Sequence, residues 1–405
     1  MPLQDFTMKS NSNFYKKFLL LAFFLVLNGY AFGHPMPNTL VLLSFEDGFV
    51  KGEAQMPAVE LETAAGFELL TSHTDKIKQY FLKHINAFDT HGKWITKIDK
   101  ITFDEQVDEN VGLYKEVHVT FTMYPADPEN MRNFTFAYDA ITHQIITHKV
   151  LVFLKYDWYS GMVAEDTARP LGIIELDVPT ETVKFIDIDL DKGSFWSGTK
   201  AMFLYGMQHI RVGLDHILFL LTLLLIAPLS AFKNKWSLYQ GFSYTVKRFL
   251  RISLAFTVGH SITLLIGSFT FFEVGARYIE ALIAFSILIT AVHCIRPIFY
   301  RKELIIAAVF GLVHGLAFSF SLAEINLNIA SKLASVFSFN LGIETMQLII
   351  MVCFSPVLFL SRFKIYNSIR IAIASLTGIL SIAWVVERLF NTPNLITEFV
   401  SQFFV

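Results

Sequence analysis

Histidines, carboxylates and carboxamides recur inside the most apolar stretches of this chain, where one ionisable side chain costs on the order of 2.5 to 3.5 kcal/mol at a helix centre. His209, Asp215 and His216 share one stretch and His260 and Ser261 the next; His314 falls in the fourth, and Asn340, Glu344 and Gln347 in the fifth. Counting about 1.5 Å per residue from predicted helix ends puts Asp215, His216, His260, His314 and Glu344 near one depth, the bilayer midplane. His209 and His216 are seven apart, Asn340 and Glu344 four apart, with Gln347 three further on. That spacing predicts that each helix aims its polar groups at one central cavity. Imidazole nitrogen with carboxylate oxygen suits nickel, cobalt or zinc, and copper is a further option. The competing reading is a packing network in which the same groups bond only one another, a reading disfavoured because several would stay unpaired without a shared ion or proton.

The elements that must position these groups are visible in the hydropathy. Of 405 residues, 53% are hydrophobic and only 17% charged, more apolar than an ordinary soluble protein. Six stretches are long enough to span a bilayer: Ala201 to Ala227, Leu250 to Phe269, Tyr278 to Ile295, Leu304 to Leu322, Val336 to Leu360 and Ile371 to Phe390. Basic residues gather in the odd loops (Lys233, Lys235, Lys247, Arg248 and Arg251; Arg296, Arg301 and Lys302; Arg362, Lys364 and Arg370), whereas the even loops carry only Arg277 and Lys332 against Glu273 and Glu324. The positive-inside rule therefore predicts odd loops in the cytoplasm, with the N-terminal region and the C-terminus outside. Gly206, Gly213, Gly259, Gly311, Gly315 and Gly342 sit beside the polar residues and permit close helix approach.

Upstream, Lys9, Lys16 and Lys17 precede the apolar run Phe18 to Val26, and Ala31, Phe32 and Gly33 form a small-x-small ending, so residues 1–33 read as a secretory signal. Cleavage after Gly33 leaves His34 at the N-terminus, able to offer imidazole and α-amino nitrogen to a metal as a possible capture point. Residues 34–195 change to short alternating runs and read as a β-rich extracytoplasmic α+β domain. Thr39 to Phe45, Phe49 onward after an Asp47-Gly48 turn, Val117 to Met123, Val150 to Tyr156 and Val183 to Leu190 are predicted strands; Ile77, Tyr80, Phe81, His84, Ile85 and Phe88 suggest one amphipathic helix. A small sandwich with a helix packed on it is the expected shape, ahead of a six-helix polytopic membrane bundle over 196–405. The other histidines of this domain show no ligand spacing. Cys294 and Cys353 both fall in apolar stretches and read as packing residues, and His293 reads as a hydrogen-bonding residue of its helix.

His209-Ile-Arg-Val-Gly213-Leu-Asp215-His216 resembles the His-x5-Asp-His signature of the HupE/UreJ family of hydrogenase and urease accessory membrane proteins. Phe256-Thr-Val-Gly-His260-Ser261, Phe310-Gly-Leu-Val-His314-Gly315-Leu-Ala317 and Phe339-Asn340-Leu-Gly342-Ile-Glu344 are similar to its later motifs. His34 to Pro37 resembles the His-Pro-Met-Pro start of the secreted domain in the larger branch. The short hydrogenase-linked members carry a second histidine after His-Gly-x-Ala, where this chain has Phe318. The resemblance implies a nickel or cobalt permease and carries over His209, Asp215, His216, His260, His314 and Glu344 as metal ligands; Asn340 and Gln347 are further candidates by their helical spacing alone.

Two functions use the same residues, and a third can do without them. A permease passes a divalent metal across the bilayer, the ion being cargo and no cofactor being held tightly. An intramembrane zinc enzyme holds the ion on three histidines with Asp215 or Glu344 as general base. An anchor or assembly factor only presents the outer domain. A formal net charge of −2 gives no footprint for nucleic acid, and no Gly-x4-Gly-Lys-Ser/Thr motif binds a nucleotide. The expected partners are the metal ion and the bilayer.

Overall fold

The structure is a computed structural model that describes residues 37–70, 73–108, 111–128, 131–163, 168–269, 275–323 and 327–390. The signal segment, His34, Glu273 and Glu324 lie outside the described residues.

Alternating apolar residues build the N-terminal region into two facing sheets. The first strand, β1 (Thr39–Phe45), turns through Gly48, whose φ of 85° favours glycine, into β2 (Val50–Pro57). After α1 (Ala58–Ala65) and α2 (Thr74–His84) come β3 (Ile85–Asp89), β4 (Gly92–Lys93), β5 (Ile95–Asp108), β6 (Gly112–Tyr124), β7 (Asn133–Tyr138), β8 (Val150–Asp157), β9 (Arg169–Asp177), β10 (Thr182–Lys184) and β11 (Ile186–Asp189). One sheet runs β10-β9-β8-β1-β2-β6-β5 and the other β11-β7-β3-β4, all neighbours antiparallel except β1 with β8. Inward residues of both meet in one core, where the rings of Phe121 and Phe136 stack at 6.3 Å and α2 buries Ile77 and Phe81. The β-rich expectation holds, with two corrections. The helix ends at His84: Ile85 and Phe88 lie on β3, opposite Tyr138 and Thr135, because β-branched Ile85 takes an extended backbone (φ −118°, ψ 111°) and joins the sheet. Val183 to Leu190 is two strands, since the chain crosses at Phe185 from β9 in one sheet to β7 in the other.

The second half is apolar helix. The first expected span is broken: α3 (Phe195–Val212) and α4 (Leu214–Ile226) meet at 74° across Gly213. Gly213 takes φ −70° and ψ 93°, which ends one helix and starts the next. A hairpin of β12 (Leu229–Phe232) and β13 (Lys235–Tyr239) follows, then α5 (Phe242–Gly267), α6 (Ala276–Ile295), α7 (Glu303–Ala323), α8 (Ile329–Phe359) and α9 (Ile365–Phe390). Among the described residues α5, α6, α8 and α9 are each long and apolar enough to cross a membrane, and the bent α3–α4 pair makes a fifth crossing if it is one span. Over Glu303–Ser319, α7 ranks as a shorter apolar helix. This is a membrane protein.

Glycine sets the helix contacts. A Cβ on Gly206 of α3 would overlap the carbonyl of Phe339, and one on Gly342 of α8 that of Phe203, so these backbones touch. On α5 and α7, Gly259 faces the carbonyl of Ala308, Gly311 that of Phe256 and Gly315 that of His260, and the two helices run parallel. Close backbone approach is what small residues supply inside a bilayer, where apolar burial alone gives little drive to associate.

Candidate functional site

The break at Gly213 creates the site. His209 lies in the last turn of α3, and Asp215 and His216 in the first turn of α4. Because the two histidines belong to different helices, the seven-residue helical face expected from the sequence does not exist. The bend brings them together instead, ring centroids 4.6 Å apart. A Cβ on Gly213 would lie 2.8 Å from the His209 carbonyl oxygen, 2.8 Å from His216 Nδ1 and 3.0 Å from Asp215 Oδ1, so the corner closes only around glycine. Asp215 also occupies the positive end of the α4 dipole, favourable for a carboxylate.

From this corner the imidazoles form a chain. His216 Nδ1 lies 2.9 Å from Asp215 Oδ1, and its Nε2 is 3.4 Å from His314 Nδ1 on α7. His314 Nε2 reaches Ser286 Oγ on α6 at 3.0 Å. His260 on α5 stands 6.4 Å from His209, centroid to centroid, and its Nδ1 is 3.3 Å from the Asn340 carboxamide oxygen on α8. His216, His260, His314 and Asn340 are buried. Among the described residues, two ring nitrogens of this group, His209 Nε2 and His260 Nε2, are buried with no hydrogen-bond partner. Phenylalanines wall the group: Phe219 and Phe256 against His314, and Phe318 and Phe339 against His209. Among the described residues, no three His, Cys, Asp or Glu side chains are spaced to close on one ion.

The remaining candidates form a second polar seam. Glu344 Oε2 accepts from Thr257 Oγ1 at 3.0 Å, and Gln347 Oε1 from Ser253 Oγ at 2.5 Å, along the α5–α8 contact and away from the imidazoles. Ser286, Thr257 and Ser253 carried no usable signal in the sequence, because hydroxyls are common in apolar helices. Glu280 and Arg388 were also missed. Paired at 3.1 Å, they line a cavity of about 30 Å³ with Asp215, Ile283, Ala284 and Trp384, room for one water beside the carboxylate.

Other histidines serve the fold. His293 Nδ1 accepts the backbone N–H of Ile298 and Phe299, holding the turn after α6. His148 is buried between Glu60 (2.5 Å) and Thr39 (2.7 Å), tying α1 to the start of β1. His84 stacks on His143 at 4.4 Å, with Asp139 Oδ1 2.8 Å from His84 Nδ1.

Residues 187–388 match a family model described as HupE / UreJ protein. The match begins within β11 and ends in the last turn of α9, so it takes in every side chain of the imidazole chain. The comparison with curated proteins gave no match.

Proposed function

Since this chain belongs, through residues 187–388, to the HupE/UreJ family, we propose that it is a transporter of divalent transition metal, of the nickel or cobalt type, whose cargo passes between the imidazoles inside the helical bundle. One observation carries the reading: His209 Nε2 and His260 Nε2 are buried and unpartnered in a cluster with His216, His314 and Asp215. Leaving a buried polar nitrogen unpaired costs about 1–3 kcal/mol, and a lone pair that meets no proton donor is what a passing cation needs.

His209, His216, His260 and His314 serve as nitrogen ligands and Asp215 as the oxygen ligand. Small ring rotations let the ion move from one pair to the next. Asp215 and Ser286 hold the outer ring nitrogens of His216 and His314, the role that hydrogen-bonded partners play around metal-binding histidines. Asn340 positions His260, and Glu344 with Gln347 continues the polar route along α5 and α8. The small cavity at Asp215, Glu280 and Arg388 is the approach from the side on which α6 begins. By the positive-inside rule that side faces out of a cytoplasmic membrane, with the β-rich domain (34–195, after a signal at 1–33) on the same side and His34 as a first capture ligand.

The test is metal flux into proteoliposomes across nickel, cobalt, zinc and copper, comparing wild type with His216→Ala and Glu344→Ala. Saturable flux lost in both variants is the expected result and names the ion. Stoichiometric metal retained without flux contradicts transport and favours a resident-metal enzyme.

A further inference from the structure

A second cavity, of about 450 Å³, opens between the N-terminal ends of α5 and α7, apart from the histidine cluster. Its charged lining is Lys247, Arg248, Arg251, Arg301 and Glu303, with Tyr244 and Tyr300 beside them. Arg248 and Glu303 satisfy each other: the guanidinium donates to Glu303 Oε1 at 2.6 Å and to the carbonyls of Ile226 and Leu229, and both side chains are about nine-tenths buried. Lys247, Arg251 and Arg301 are exposed, and among the described residues none forms an ion pair with a carboxylate. The cavity therefore carries three like charges with no counter-ion.

Two further features favour an anion there. Both helices start beside the cavity, and α5 begins at Gly241 with no side-chain cap, so the positive end of its dipole lies near the basic cluster. Arg301 is held at φ 69°, a left-handed backbone that disfavours any residue with a Cβ and persists only where its surroundings impose it.

Shape selects the source of the anion. Beyond Arg251 the outer face of α5 continues with exposed Leu254 and Val258, and beyond Arg301 that of α7 continues with exposed Ile305 and Val309. Two parallel apolar tracks thus run from the basic cavity down α5, which is long and apolar enough to cross the bilayer, and the shorter apolar α7 packed against it. An inorganic anion has no use for them, and an acyl chain does. We propose that this cavity binds the phosphate of an acidic phospholipid headgroup, whose acyl chains lie along α5 and α7. Basic pockets between membrane helices at headgroup level take ligands of this chemistry. Because α5 carries His260 and α7 carries His314, the bound lipid also braces the two helices that hold the site.

The experiment uses full-length protein in detergent, titrated separately with short-chain phosphatidylglycerol, short-chain phosphatidylcholine and inorganic phosphate, with binding read by native mass spectrometry and by the shift in Tm. Phosphatidylglycerol is expected to bind most tightly, with affinity falling about fivefold per cation removed, so Lys247→Gln/Arg251→Gln/Arg301→Gln loses about a hundredfold. Arg301→Gln alone loses about fivefold and keeps the lipid-free Tm, which separates lost binding from lost folding. Equal binding of the two lipids, or wild-type affinity for phosphatidylglycerol in the triple variant, overturns the proposal. Inorganic phosphate binding as tightly as phosphatidylglycerol overturns the lipid and assigns the cavity to free phosphate.

Discussion

Replacing Gly213 by alanine isolates the corner from everything around it. The backbone there, φ −70° and ψ 93°, has the negative φ open to any L-residue, so no strain follows from losing glycine's freedom. What changes is space. The new methyl lies 2.8 Å from both the His209 carbonyl oxygen and His216 Nδ1, about 0.6 Å short of the 3.4 Å at which ordinary contact begins, and 3.0 Å from Asp215 Oδ1. The His209 carbonyl is backbone, so relieving that contact shifts the α3–α4 corner itself, and the His216 ring and the Asp215 carboxylate are displaced with it by about half an ångström. On a scale where ~1 Å of misplacement costs ~100-fold, metal affinity and flux fall about tenfold. Calorimetric nickel and cobalt titrations paired with proteoliposome flux read the loss. Gly378→Ala is the control, because its methyl meets only Ala291 and Leu288 at ordinary distance (3.8 and 3.9 Å) inside α9 and should gain up to ~1 kcal/mol of helix propensity. Wild-type affinity and flux in Gly213→Ala would refute the corner as the element that sets the site.

Further outcomes follow from other contacts. Gly311→Ala drives a methyl into the backbone of α5 at Phe256 and should destabilise the bundle by about 1–3 kcal/mol, read as a lower Tm in detergent. Phe318→His replaces a ring 5.7 Å from His209 with another imidazole, and is expected to tighten equilibrium nickel binding while slowing flux. Arg132→Ala strips the bidentate partner (2.9 and 2.7 Å) from Asp157, whose side chain is 1% exposed; it should cost about 3–5 kcal/mol in denaturant unfolding followed by tryptophan fluorescence. Burial alone raises the Asp89 carboxyl, but the Trp94 indole and the N–H groups of His91 and Gly92 outweigh it and hold the group below its ordinary range. Its contribution is therefore complete above about pH 4 and lost as pH falls through the lower folded value. Amide protection factors in the β3–β4 turn, corrected for the intrinsic pH dependence of exchange, should fall only on acidification, and Asp89→Asn should remove that fall.

Much of the candidate cluster was legible because polar groups in apolar helices carry their own signal. His216, His260 and His314 stood out by cost alone, and the glycines beside them proved to be where α3 meets α8 and α5 meets α7. The neighbours were right where the geometry was not: His209 and His216 do meet, but through a corner at Gly213 that sequence periodicity cannot distinguish from a glycine inside a continuous helix. Asn340 reaches the cluster through His260, whereas Glu344, one turn further, turns to Thr257, a difference of side-chain direction that spacing does not encode. In the β-rich N-terminal region, alternation located β1 to the residue. The helix end at His84 and the split at Phe185 were hidden because pairing with distant strands decided them.

The most direct measurement is X-ray absorption on the full-length protein loaded with nickel or cobalt. The expected spectrum has imidazole nitrogen at about 2.0–2.1 Å, with the imidazole signal reduced in His209→Ala and in His260→Ala, two residues of the cluster whose buried Nε2 has no hydrogen-bond partner among the described residues. A metal bound only by water and carboxylate oxygen, with a spectrum unchanged in both variants, would contradict the histidine chain as the path of the ion.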